Sequence, residues 1–242
     1  MENSDELNIV LYQPWSVPVA KLQLPPWVLG KMIEITDKII EDVNSVSHGQ
    51  YLAGQIEKEL VVDHKLLQEA QIYNFFLQVM GRYISHCRTN CGRSEKVEMQ
   101  MASMWTVSQF PDEYNPIHYH TQCQMSAVMY LKVPNMEIAR KAHKPNEDGS
   151  ITFIHNASRD IMLSEPSFST RPVVGDMYIF GGQTLHTVYP FRCSEGDPER
   201  RSVSFNTIIR ESSEVGRAEH DNVTAWNMKL LGKENNSEEN GS

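Results

Sequence analysis

The hydrophobic period of this chain changes once, near residue 97, and that change separates a helical part from a strand-rich one. Before it, Trp27, Leu29, Met32, Ile33, Ile35, Ile39 and Ile40 recur near every 3.6 residues. They follow Pro25-Pro26, and proline suits the first turn of a helix. Leu66, Leu67, Ala70, Tyr73, Phe76, Leu77 and Met80 continue as a second long helical stripe, whose apolar face suits core packing. Gly49 and Gly54 interrupt the stretch between them, and residues 9–12 and 17–20 read as extended. From 97 onward, strand-like runs at 97–110, 125–133, 151–154, 177–180, 185–190 and 200–209 are separated by turn residues. The pattern predicts a mainly β, α+β protein: a sandwich or barrel over about 97–210, with helices from about 25–90 packed outside it.

Composition narrows the class. With 40% hydrophobic and 22% charged residues in 242, the chain can bury a core, and we expect one domain over residues 1–231. Residues 232–242 carry no hydrophobic side chain and are expected to be disordered. No run approaches the roughly 18 apolar residues of a membrane span, and the first residues lack a signal peptide's basic and apolar regions. These features predict a cytoplasmic protein. A net charge of −9 argues against non-specific nucleic-acid binding. Cys87, Cys91, Cys123 and Cys193 are too few and too irregular for a disulfide scaffold, and His86-Cys87-x3-Cys91 lacks the second ligand pair of a structural zinc site.

The chemistry is concentrated in Asn115-Pro-Ile-His118-Tyr-His120, His186 and Arg200-Arg201-Ser202. Histidines at i and i+2 of an extended segment point to one side. A third histidine from a distant strand can then close one face of a metal and leave the opposite positions open, as non-haem Fe(II) sites require. His48, His64, His86, His143, His155 and His220 have no comparable company and read as ordinary histidines. Arg200 and Ser202 share one strand face and Arg201 takes the other, so Arg200 offers a bidentate grip on a carboxylate, with Arg201 as the fallback. Asn206, on the Arg200 face, and Tyr130 are further candidates for the pocket wall.

The blocks Asn115-x-x-His118-x-His120 with Ser126-Ala-Val-Met-Tyr-Leu131, Gly175-Asp-x-x-x-Phe180 with His186-Thr-Val-Tyr-Pro190, and Arg200-x-Ser202-x-Ser-Phe-Asn206 resemble a family of 2-oxoglutarate- and Fe(II)-dependent oxygenases of bacteria and phages. The likeness covers roughly residues 100 to 210 and touches Leu52-Ala-Gly-Gln-Ile56. It implies a double-stranded β-helix, or jelly roll. It also implies Fe(II) on His118, His120 and His186, 2-oxoglutarate anchored by Arg200 and Ser202, and O2 as oxidant. The implied reaction is hydroxylation with release of succinate and CO2. The wider superfamily has a carboxylate where this chain has His120. Asp112, Glu113 and Asp176 are the acids that could replace it as ligand, but their turn positions make three histidines the preferred set.

Two other classes share part of this pattern. A cupin-type metalloenzyme would have the jelly roll and three histidines without the Arg-x-Ser strand. A non-catalytic jelly-roll module would use the histidines as polar filler. Nothing in the sequence specifies whether the substrate is a small molecule or a peptide or protein side chain, nor the oligomeric state. Residues 134–150, 156–172 and the N-terminal helices are the expected lid and specificity elements.

Overall fold

Apolar and polar residues alternate along the strand Arg200–Glu211, and this alternation organises the whole molecule. Val203 and Phe205 are buried against helices, while Arg200, Ser202, Ser204 and Asn206 face a cavity on the other side. The computed structural model describes residues 17–93, 96–136, 147–155, 166–193 and 196–211. In chain order the elements are β1 (Ala20–Gln23), α1 (Pro26–Glu41), a 3-10 turn (Gly49–Tyr51), β2 (Lys58–Val61), α2 (His64–Glu69), α3 (Tyr73–Asn90) and β3 (Val97–Gln109). They continue with β4 (Asn115–His118), β5 (Met125–Lys132), β6 (Ile151–Ile154), β7 (Ser167–Thr170), β8 (Asp176–Gly181), β9 (Leu185–Val188) and β10 (Arg200–Glu211).

The strands form two antiparallel sheets, a major one in the order β1-β8-β5-β10-β3-β2 and a minor one in the order β4-β9-β6-β7. This β-rich sandwich is compatible with a jelly roll. One face of the major sheet carries Met104, Met125, Ala127, Met129, Met177 and Ile179 into a core shared with Val28, Met32, Phe76 and Met80 of α1 and α3. The other face contributes Val128, Tyr130, Tyr178 and Phe180 to a smaller core with Ile151, Phe153 and Val188 of the minor sheet. Consecutive residues of a strand thus enter different cores, as the two-residue period of a sheet dictates.

The second predicted stripe is two helices rather than one. Gln71 adopts a left-handed φ of 59°, and the amides of Gln71 and Ile72 donate back to the carbonyls of Gln68 and Leu67. This closure ends α2, and Leu67 and Ile72 on either side of it both enter the core. Two four-residue strands, β2 and β7, are additions to the predicted set. The strand expected at 9–12 and the tail at 232–242 lie outside the described residues, as do 137–146 and 156–165 of the expected lid segments. All four cysteines are free thiols. Among the described residues, no helix is long and apolar enough to cross a membrane.

Candidate metal centre and cosubstrate cavity

A cavity of about 360 Å³ opens between the two sheets, walled by β3 and β10 on one side and by β4 and β9 on the other. His118 on β4 is the direct cross-strand partner of His186 on β9, so sheet register sets their approach. His120 lies just beyond β4, where its amide donates to the Gly182 carbonyl at 2.8 Å. Gly182 is needed at that place: a Cβ there would sit 2.7 Å from both the carbonyl oxygen and Sγ of Cys123. One ligand-type nitrogen from each of the three histidines falls within 4.8 Å of the others. His120 Nε2 and His186 Nε2 are 3.3 Å apart.

The outer nitrogens are already engaged. Nδ1 of His118 meets the Pro116 carbonyl at 2.8 Å, and Nδ1 of His186 meets the Thr184 carbonyl at 2.9 Å. Both are hydrogen bonds in which Nδ1–H donates, which fixes the tautomer and leaves Nε2 with its lone pair toward the cavity. Burial, then repulsion from neighbouring imidazoles, pushes His120 and His186 down to about 3. His118 is lowered as well, chiefly by burial and less so because of its bond to Pro116. All three are neutral at pH 7, the form that binds metal. Asp112, Glu113 and Asp176 stand apart from this group. Asp112 occupies a turn with φ 70°, Glu113 accepts from the amides of Glu57 and Phe110, and Asp176 pairs with Lys21 at 2.7 Å.

Arg200 is 3% exposed and lies in the cavity wall. Its Nη1 donates to the Gly149 carbonyl at 3.1 Å, its plane lies 5.2 Å from the Tyr130 ring centroid, and its Nε has no partner. Burial lowers its pKa. Among the described residues no carboxylate pairs with it. Tyr130 sits fully buried behind the guanidinium rather than on the wall, and its hydroxyl has no partner. Ser202 and Asn206 line the cavity on the same strand face, and Asn206 interacts with His120. Arg201 points the other way, where Glu199 accepts from Nε and Nη2 at 2.9 Å each and Asp37 and Thr36 of α1 take Nη1.

Residues 103–206 match the sequence profile of a family described as "Putative 2OG-Fe(II) oxygenase". That match spans the strand-rich core, somewhat under half of the chain. SnoN, a non-heme alpha-ketoglutarate-dependent epimerase from nogalamycin biosynthesis, shares the fold, with a TM-score of 0.50, 13% identity, and coverage of 78% of this chain and 77% of that one. A prolyl-4-hydroxylase from Pseudomonas putida aligns with a TM-score of 0.49 and 14% identity, over 79% of this chain and 93% of that one. HygX from Streptomyces hygroscopicus, solved with nickel and 2-oxoglutarate bound, aligns with a TM-score of 0.46 and 12% identity, over 79% and 83% respectively. No curated protein matches the chain.

The residues present suit the groups a 2OG-Fe(II) oxygenase uses. Ligands at right angles on one ion, each about 2.1 Å from it, stand about 3 Å apart, close to the 3.3 Å between the Nε2 atoms of His120 and His186. A buried guanidinium with an unpaired Nε suits a carboxylate, because burying an unpaired charge is costly. Two further cavity residues escaped the sequence reading: Glu59 on β2 and His48 before the 3-10 turn. Burial pushes His48 down to about 4, and burial together with Glu113 pushes Glu59 up to about 7. Neither has a motif around it, and only pairing of β2 with β3 brings Glu59 to the cavity.

Proposed function

We propose that the protein is a dioxygenase that holds Fe(II) on His118, His120 and His186 and binds 2-oxoglutarate through Arg200 and Ser202, on a double-stranded β-helix. The observation that carries the reading is the pairing of a three-histidine cluster with a buried guanidinium that no described carboxylate neutralises, in one cavity. Iron bound there with 2-oxoglutarate and O2 supplies the oxidising chemistry, in which 2-oxoglutarate becomes succinate and CO2 while a substrate C–H bond is hydroxylated. The chain's own part is to bind, orient and exclude water. Backbone carbonyls of Pro116 and Thr184 hold two imidazoles in the metal-binding tautomer. Arg200 and Ser202 receive the carboxylate remote from the metal, with Tyr130 packed behind the guanidinium. Val128, Ile151, Phe180 and Val188 supply the apolar part of the wall between them.

Anaerobic titration of the Fe(II)-loaded protein with 2-oxoglutarate tests this directly through the weak visible metal-to-ligand charge-transfer band. The band should form in wild type, require far more cosubstrate in Arg200→Ala and vanish in His186→Ala. Tight metal binding with no band would overturn the 2-oxoglutarate reading in favour of cupin-type chemistry, and no metal binding would leave a structural module.

A further inference from the structure

The cavity has a second polar end. Glu59 is 2% exposed and His48 4%, both line the cavity, and neither Glu59 Oε2 nor His48 Nδ1 has a hydrogen-bond partner. Glu59 pairs in register with Val107, and Val107 with Ser202. The acid therefore stands two strands from the proposed cosubstrate anchor on the same sheet face, about 10 Å away at a strand spacing of 4.7–4.9 Å. Arg200 turns toward Gly149 and Tyr130, leaving a cation at one end of the cavity and an acid at the other.

This corner is enclosed. The Trp105 ring contacts both His48, at 4.9 Å, and His120, at 5.8 Å, and so links this corner to the three histidines. The segment after the 3-10 turn presses close: a Cβ at Gly54 would come within 2.5 Å of Asn115 Oδ1 and 3.1 Å of Glu59 Oε1. Tyr51, Leu52 and Ala53 of that segment complete the wall, and Gln55 bridges to Tyr114. Glu113, the nearest other charged group acting on Glu59, is also acidic. Among the described residues no cation pairs with Glu59.

We propose that the Glu59–His48 corner is a substrate subsite, and that it takes a cationic nitrogen group, an ammonium or guanidinium, whose N–H donors meet the Glu59 carboxylate. The inference rests on the oxygenase reading of the cavity and adds the substrate class. A buried acceptor left without a donor costs free energy, and a charged one costs more. A hydroxyl on the substrate would satisfy one acceptor and leave the charge, whereas a carboxylate or phosphate would meet repulsion from Glu59 and Glu113. A positively charged group with several N–H bonds answers both demands.

The test is calorimetric titration of protein loaded with Ni(II), as a redox-silent metal, and 2-oxoglutarate. The probes are n-butylammonium, n-butylguanidinium, n-butanol and butyrate, and the series is repeated on protein carrying neither metal nor cosubstrate. The cations should bind at least tenfold more tightly than butanol, and butyrate more weakly still. Glu59→Gln should reduce the cations to the level of butanol. Glu59→Asp, which keeps the charge but withdraws it by one methylene, should fall between, and it serves if the glutamine variant does not fold. Equal binding of butanol or butyrate, no binding of any probe, or full cation affinity in Glu59→Gln would each overturn the proposal and leave a hydrated buried acid only. Binding of 2-oxoglutarate during loading reports separately on the oxygenase reading, so loss of one conclusion is distinguishable from loss of the other.

Discussion

Arg200 and Arg201 are neighbours in the chain with opposite surroundings. On the helix side of the major sheet, Arg201 is matched by Glu199, Asp37 and Thr36. On the cavity side, Arg200 has one carbonyl and one aromatic ring for company. The same contrast separates Glu199, which burial would raise but Arg201, Lys132 and Ser108 hold at about 2, from Glu59, which burial and Glu113 push up to about 7. Arg201 and Glu199 are neutralised by the fold itself, whereas no described residue of opposite charge pairs with Arg200 or Glu59.

The sharpest way to break this comparison is to remove each arginine. Arg201→Ala removes two charged donors from Glu199, leaving it Lys132 and Ser108, and should cost about 1.5–3 kcal/mol of stability in a denaturant titration. Arg200→Ala should leave stability within about 1 kcal/mol of wild type but weaken 2-oxoglutarate binding by about 2–5 kcal/mol, the range for truncating one side of a buried charge pair. If both variants were merely unstable, the cavity side would be as self-satisfied as the helix side.

Acidity gives a second contrast, with opposite signs. The folded pKa of Glu199 is depressed, so its contribution is present above its ordinary 4.5 and is lost as pH falls toward about 2. The folded pKa of Glu59 is raised, so its contribution is present below 4.5 and is lost as pH rises toward about 7. Glu199→Gln should therefore be destabilising at pH 7 and near neutral at pH 2, whereas Glu59→Gln should be stabilising at pH 8 and near neutral at pH 4. Each effect is on the order of 1–2 kcal/mol, since solvent reaches Lys132 and Asp197 beside Glu199 and Glu59 borders a cavity rather than close-packed core. Melting curves across pH for the two variants would check the signs.

The smallest contrast lies in adjacent side chains of β10. Val203→Ala, fully buried on the helix side, should cost about 1–2 kcal/mol, while Ser202→Ala should change stability by less than about 0.5 kcal/mol and weaken 2-oxoglutarate severalfold. Chemical denaturation and the charge-transfer titration together separate them.

The parts of this molecule that were legible in the sequence are those governed by a local period. The alternation in 200–206 put Arg200, Ser202 and Asn206 on one face and Arg201 on the other, and the His-x-His spacing with a later histidine matches the cluster that the sheet brings together. What escaped depends on partners far along the chain. Lys58–Val61 is too short to show alternation, and only β3 makes it a strand, so Glu59 and His48 had no signal. β7, Ser-Phe-Ser-Thr, is exposed at a sheet edge and was missed for the same reason. The break at Gln71 was hidden because the apolar spacing from Leu67 to Tyr73 still fits a continuous helix, and no glycine marks the left-handed residue.

Cross-strand pairing of His118 with His186 has a consequence for how damage to the protein would show itself. Strand register moves in whole residues, and a slip of one would turn Leu185 inward and His186 outward, so no intermediate spacing of the two imidazoles exists. Substitutions distant from the centre that loosen β4 or β9 should thus divide the population into molecules able to load metal and molecules unable to, with turnover per bound metal constant while occupancy declines.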